Sequence, residues 1–291
     1  MEAEIKKVAG VLKAPASHMV GDGFRVHNFF PGGYKINMSP FFLLDYNSKI
    51  NFSARKEPRG VGVHPHRGFE TVTIAYHGAV AHHDSAGNSG IIHPGDVQWM
   101  TAASGILHKE YHEENFSQQG GVFQMVQLWV NLPAKDKMSA PNYQEVQQIN
   151  MPKYHLPDNG GIVEVIAGTY KDLKGAASTF TPLNLFNARL NAGGKASFSF
   201  PSNYNTGFVI VEGSILINNQ EVATVDQFVH FANAGSEIMV EAMEDAVILV
   251  LSGEPIDEPI EQYGPFLMNT PQEIQQAISD YNQGKFGYLD E

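Results

Sequence analysis

Two short runs in this chain, His64-Pro65-His66 and His108-Lys109-Glu110, supply three imidazoles and a carboxylate between them. In an extended strand alternate side chains share a face, so His64 and His66 project together, and His108 and Glu110 do likewise. Two strands from different parts of a barrel, each offering such a pair to one interior, close a mixed nitrogen and oxygen site that suits iron, manganese, nickel, copper or zinc. Lys109, on the opposite parity, is expected in solvent.

The elements that must carry these residues read as short strands separated by Gly, Pro and Asn turns, the pattern of sandwiches and barrels. Val72–Tyr76 turns at His77-Gly78 into Ala79–Ala81, and Phe208–Val211 turns at Glu212-Gly213 into Ser214–Ile217, as if the same hairpin occurred twice. Asp96 with Gly105 has a similar counterpart in Asp226 with Gly235. The common offset, near 130 residues, predicts a duplicated barrel. Under it His108 and Glu110 fall on Ile238 and Val240, and, with a small gap allowed, His64 and His66 fall near Ser199 and Pro201. The second barrel is therefore expected to be without metal, with a packed apolar core or a metal-free pocket. The expected division is an N-terminal metal-binding domain over 1–138, a linker over 139–158 and a C-terminal domain over 159–291. The polar stretch from Ala134 to Asn159, with Pro141, Pro152 and Pro157, suggests that linker. One helix is predicted, over 270–283, with Thr270 as cap, Pro271 in the first turn, Glu273 at the third position and Gly284 as the stop.

Charge separates the two halves. Residues 1–145 hold 13 basic and 13 acidic side chains, and residues 146–291 hold 6 and 18, so the net charge of −12 lies wholly in the second half. No Lys or Arg occurs between Lys195 and Lys285, which disfavours direct nucleic-acid binding. Ten of the twelve histidines occur at or before His112, which assigns any metal chemistry to the first half. Cysteine is absent, excluding thiolate sites and disulfides. Neither a signal peptide nor an apolar run of the ~20 residues needed to span a bilayer is apparent. A soluble, cytoplasmic protein with no membrane partner is expected.

Several segments together resemble the pirin family: His64-Pro-His-Arg-Gly-Phe-Glu-Thr-Val72, Pro94-Gly-Asp-Val-Gln-Trp-Met-Thr-Ala102, Gly105-Ile-Leu-His108, Gln127-Leu-Trp-Val-Asn-Leu132 and Gly264-Pro-Phe-Leu-Met-Asn-Thr270. Matching segments run from Pro40–Asp45 to the C-terminal helix. The resemblance implies an all-β bicupin: two tandem antiparallel β-barrels of jelly-roll type with a short C-terminal helix. It implies one divalent transition metal per chain, on His64, His66, His108 and Glu110. Fe(2+) is the leading choice, with Mn, Ni, Cu, Co and Zn open. It departs from the general cupin pattern in taking its carboxylate from Glu110, which leaves Glu70, the glutamate of the first cupin motif, behind the ligands. Quercetin 2,3-dioxygenase activity is the implied chemistry, on a small aromatic, flavonol-like substrate. Glu110 or Glu70 would take the proton from the flavonol 3-hydroxyl, and ring opening would release carbon monoxide and leave a depside. The rival reading is a non-catalytic, redox-sensing regulator that binds a protein partner such as a transcription regulator or a metabolic enzyme.

Phe69, Val72, Trp99, Met125 and Gln127 are candidates for the cavity wall. His77, His82, His83, His93 and His112, flanked by polar residues, are expected on surface turns or in polar networks. Glu113 and Glu114 read as a solvated charge pair.

Overall fold

A computed structural model of the chain describes residues 4–291. It is all-β apart from short helices, and it divides into two compact units. The histidine-bearing unit comprises Ala16–Lys35, Phe41–Gln148 and Ile256–Glu291. The second unit comprises the N-terminal arm through Pro15, Ile36–Pro40 and Ile149–Pro255.

Each unit pairs a seven-stranded antiparallel sheet with a four-stranded one. In the histidine-bearing unit the larger sheet runs Asn142–Val146, Val97–Thr101, Phe69–His77, Gly121–Asn131, Phe41–Phe52, Phe24–Phe30, His18–Val20. The smaller runs Gly60–His66, Ile106–His112, Val80–Asp84, Ser89–Ile92. In the second unit the corresponding orders are Val8–Lys13, Gln227–Phe231, Asn205–Glu212, Ala246–Gly253, Leu183–Leu190, Gly161–Ala167, Lys153–His155, and Lys195–Ser199, Glu237–Ala242, Ser214–Ile217, Glu221–Thr224. The sheets are open sandwiches of the cupin jelly-roll class and do not close into barrels.

Three expectations change. The repeated hairpin is instead a corner. Phe69–His77 and Val80–Asp84 lie in different sheets, as do Asn205–Glu212 and Ser214–Ile217. Gly78 (φ +76°) and Gly213 (φ +70°) make the left-handed turn that sends the chain from one sheet to the other. The units also exchange their ends relative to the expected division. Val8–Lys13 pairs with Gln227–Phe231 in the second unit, while Ile256–Glu291 belongs to the histidine-bearing unit. Finally, the stretch 139–158 is built into sheets. Asn142–Val146 extends the first large sheet beside Val97–Thr101, and Lys153–His155 pairs with Gly161–Ala167 in the second.

The C-terminal helix spans Pro271–Asn282, with Thr270 Oγ1 accepting from the Glu273 amide at 3.2 Å. A further helix, Glu114–Gln119, is capped by Glu113, whose carboxylate accepts from the Phe116 amide at 2.9 Å. Glu113 is therefore a buried cap, not half of a solvated pair. Among the described residues no helix is long and apolar enough to cross a membrane.

Candidate metal centre

The strand Ile106–His112 alternates buried and half-buried positions without exception, so His108 and Glu110 share its inner face and Lys109 turns outward, where its Nζ donates to the Asp290 carbonyl at 2.8 Å. Gly60–His66 pairs with it so that His64 lies opposite His108. A register shift between His108 and Glu110 follows, and Glu110 falls opposite Val61. The three rings form a tight triangle, with centroids 4.8 Å apart for His64 and His66, 4.2 Å for His64 and His108, and 4.7 Å for His66 and His108. Their nitrogens come within 4.8 Å of one another, and so do ligand atoms of His82, His108 and Glu110.

Hydrogen bonds orient the rings. His64 Nδ1 donates to the Gly62 carbonyl at 2.8 Å and His66 Nδ1 to the Pro265 carbonyl at 3.4 Å, which frees both Nε2 lone pairs. His108 Nδ1 lies 3.4 Å from His82 Nδ1, while its Nε2 is buried with no partner. Burial holds His66 and His108 well below the ordinary histidine range, and the neighbouring imidazoles add to the effect. Neutral rings are the ligating form. Glu110 accepts from Gln127 Nε2 at 3.1 and 2.9 Å and from Thr73 Oγ1 at 3.2 Å, donors that fix the orientation of its carboxylate. An orphaned imidazole nitrogen, two oriented neighbours and an aimed carboxylate are a donor set that fits one divalent transition metal.

Beside the cluster is a cavity of about 330 Å³. Its wall includes His64, His66, Glu110 and Gln127 together with Val20, Phe24, Val26, Val61, Met125 and Trp129. Roomier hollows occur elsewhere, about 420 Å³ beside Tyr154 and Tyr170 and about 540 Å³ beside Glu113 and Glu145, but neither is lined by any of these imidazoles.

The cavity wall corrects several expected positions. Met125 and Gln127 line it, but Trp99, Phe69 and Val72 do not. Trp129 takes the place expected for Trp99, and Phe69 stacks behind it at 4.2 Å. Thr73 reaches Glu110, so Glu70 and Val72, on the other parity of the same strand, face away, and so does Trp99, which is paired with Val72. Glu70 is buried on that far face, accepts from Thr101 Oγ1 at 2.7 Å, and is pushed up to about 7 by burial. The structure therefore does not bring Glu70 and Trp99 to the cluster. His82 is the converse case. It is fully buried beside His108, opposite Glu110 in register, with Nε2 3.6 Å from Asp84 Oδ2. His112 is likewise buried, among Phe52, Phe116 and Phe123, whereas His93 is exposed as expected.

The strand that carries His64 and His66 is braced by the C-terminal segment of its own unit. Leu267 N donates to the Arg67 carbonyl at 3.0 Å, and Lys137 Nζ bridges the Gly68 and Leu267 carbonyls at 2.7 and 2.8 Å. The buried Arg67 guanidinium donates to Asp280 at 2.9 Å and lies 4.6 Å above the Phe286 ring. Lys285 and Arg67 hold the Asp280 carboxyl far below the usual range.

Comparison with known proteins agrees with this architecture. The pirin family matches residues 23–130, and the pirin C-terminal cupin domain matches residues 185–287. The chain belongs to the pirin family. A Pseudomonas aeruginosa relative named "Putative quercetin 2,3-dioxygenase" is 47% identical over 97% of this chain and 99% of its own. The crystal structure of a quercetin 2,3-dioxygenase from Acinetobacter baumannii is 47% identical, covers 98% of this chain and 100% of its own, and superposes with a TM-score of 0.92. A bacterial pirin from Escherichia coli, solved in complex with nickel(II), is 19% identical over 85% of this chain and 99% of its own, with a TM-score of 0.65, and shares the fold.

Proposed function

We propose that this pirin is a quercetin 2,3-dioxygenase with one divalent transition metal held by His64, His66, His108 and Glu110. The observation that carries the reading is the triangle of His64, His66 and His108, with Glu110 beside His108, next to an apolar cavity of about 330 Å³ whose wall includes His64, His66 and Glu110, a volume within the usual range for a small-molecule site. The names of the Pseudomonas and Acinetobacter relatives support the same chemistry. Iron(II) is the metal first expected, and the donor set also accommodates manganese, cobalt, nickel, copper and zinc.

When bound, the metal supplies a Lewis acid that brings the flavonol and dioxygen together. The chain does the rest. Phe24, Val26, Met125 and Trp129 hold an aromatic ring system and exclude water. Glu110 takes the proton of the flavonol 3-hydroxyl, and Gln127 and Thr73 hold its oxygens in place through the transfer. Ring cleavage then gives a depside and carbon monoxide.

The test is elemental analysis of freshly purified protein combined with an aerobic flavonol assay that follows oxygen uptake and carbon monoxide together. One metal per chain and metal-dependent release of carbon monoxide are expected. Absence of metal-dependent turnover with any flavonol would overturn the reading.

A further inference from the structure

Five strands of the large sheet in the histidine-bearing unit each contribute one residue to a polar rank across the cavity face. Asn28, Asp45, Gln127, Thr73 and Gln98 are paired Cα to Cα in that order. The second unit has the same strand order, and its matching rank is Val165, Phe186, Val250, Phe208 and Val229. All five are fully buried members of one apolar core. The fold itself therefore does not require polar atoms at these positions, and each polar residue of the first rank calls for another reason.

Gln127 and Thr73 have one, since both hold Glu110. Asp45 does not. Asn28 Nδ2 donates to its Oδ1 at 2.7 Å, and no other hydrogen bond reaches the carboxylate among the described residues. Asp45 nevertheless forms part of the cavity wall, in the company of Val20, Phe24, Val26, Met125 and Trp129. Burial pushes its carboxyl up, the expected result of setting an acid among apolar side chains. Asp45 is half-buried and open to the cavity, so a ligand that displaces water from it must donate to the carboxylate or leave it unpaired. Asp45 lies one strand beyond Gln127, about 5 Å farther along the sheet, so a donor that satisfies it belongs to a part of the ligand away from Glu110.

We propose that Asp45 is a specificity-determining residue of the cavity, its second carboxylate oxygen accepting a hydrogen bond from a ring hydroxyl of the aromatic substrate. The inference rests on the flavonol reading above and adds which substituent the site selects. An ionised carboxylate only accepts. It therefore favours a polyhydroxylated flavonol over the same skeleton without ring hydroxyls.

Binding is measured without oxygen, on the metal-loaded full chain, by calorimetric titration with quercetin and with 3-hydroxyflavone, which keeps the 3-hydroxyl and lacks the others. The parent should bind quercetin about 10- to 100-fold more tightly, the usual worth of a hydrogen bond to a charged group. Asp45→Ala should bring that ratio close to one by weakening quercetin, with 3-hydroxyflavone affinity and metal content unchanged. A parent ratio near one overturns the proposal without recourse to any variant. So does an Asp45→Ala protein that keeps the parent ratio, and in both cases the flavonol reading stands. If neither compound binds the parent, the flavonol reading falls and takes this assignment with it.

Discussion

The two units share one strand order and differ in what they place inside it. Aligned by strand pairing, His64, His66, His108 and Glu110 correspond to Phe198, Phe200, Ile238 and Val240. Every one of the latter is buried in a core that both sheets of the second unit share. The alignment also corrects the simple sequence offset. His64 matches Phe198, which sits opposite Ile238 as His64 sits opposite His108, and Ser199 is exposed. One copy thus spends its interior on packing and the other on polar groups that packing alone does not reward. Asn47, Thr71 and His108 each keep a buried polar side-chain atom without a partner, all in the histidine-bearing unit. Such atoms lower stability, so the contrast separates a scaffold from a site.

The largest expected effect comes from reciprocal truncations. His108→Ala should abolish most metal occupancy, whereas Ile238→Ala should leave occupancy intact and lower unfolding free energy by about 2–5 kcal/mol. Elemental analysis and denaturant unfolding read the two outcomes. Full stoichiometric metal in His108→Ala would remove the proposed contrast.

Next in size, Glu110→Gln should reduce turnover per bound metal by about 10²- to 10⁴-fold. Glu70→Gln, on the far face of the sheet, should leave that normalised rate near the parent's. The reverse pattern would exchange the roles of the two carboxylates.

A smaller effect separates Glu70 from its counterpart in the second unit, Asn205, which does not titrate. Burial raises the Glu70 carboxyl from an ordinary 4.5 to about 7. Because the folded value lies above the unfolded one, the bound proton supports the fold fully below pH 4.5. That support drains as pH rises to about 7, by about 3 kcal/mol in all. In metal-free protein the parent should lose stability across this window and Glu70→Gln should lose less. Equal slopes would mean that Glu70 ionises as freely in the folded chain as in the unfolded one.

The smallest effect concerns the helix that closes the histidine-bearing unit. Thr270→Ala removes the cap of Pro271–Asn282 and should cost about 1 kcal/mol, seen as a modest drop in Tm with metal content unchanged. A loss several times larger would show that Thr270 does more than cap.

The histidine triangle was legible because strand parity and i, i+2 spacing are local properties, and the helix because its cap and stop are local too. Parity could not place Glu70, which only the family pattern set behind the ligands. Gly68 (φ +92°) bends the chain between the strand that ends at His66 and the one that begins at Phe69, so counting onward from His66 gives no face. His82 was hidden by its neighbours, since His83 and Asp84 look like surface while the strand Val80–Asp84 runs beside Ile106–His112. A Gly turn likewise does not reveal whether the chain returns to its own sheet or crosses to the next. The exchange of ends was illegible for a different reason. Nothing in Val8–Lys13 names Gln227–Phe231 as its partner, because strand pairing at such separation depends on the whole fold.

That exchange also sets an order of events during synthesis. The second unit has all its segments once Pro255 has left the ribosome, whereas the unit translated for the most part earlier still lacks Pro265, Leu267 and Asp280, which brace the strand of His64 and His66. Domains generally fold as units during translation, so the histidine-bearing unit, although most of it is synthesised first, is completed last. Ribosome-bound chains arrested with residue 255 just outside the exit tunnel should protect the second unit from protease and retain little metal, and both units should be protected once residues 256–291 have emerged. Metal loading then waits for the segment 256–291, which completes the unit that holds the histidines.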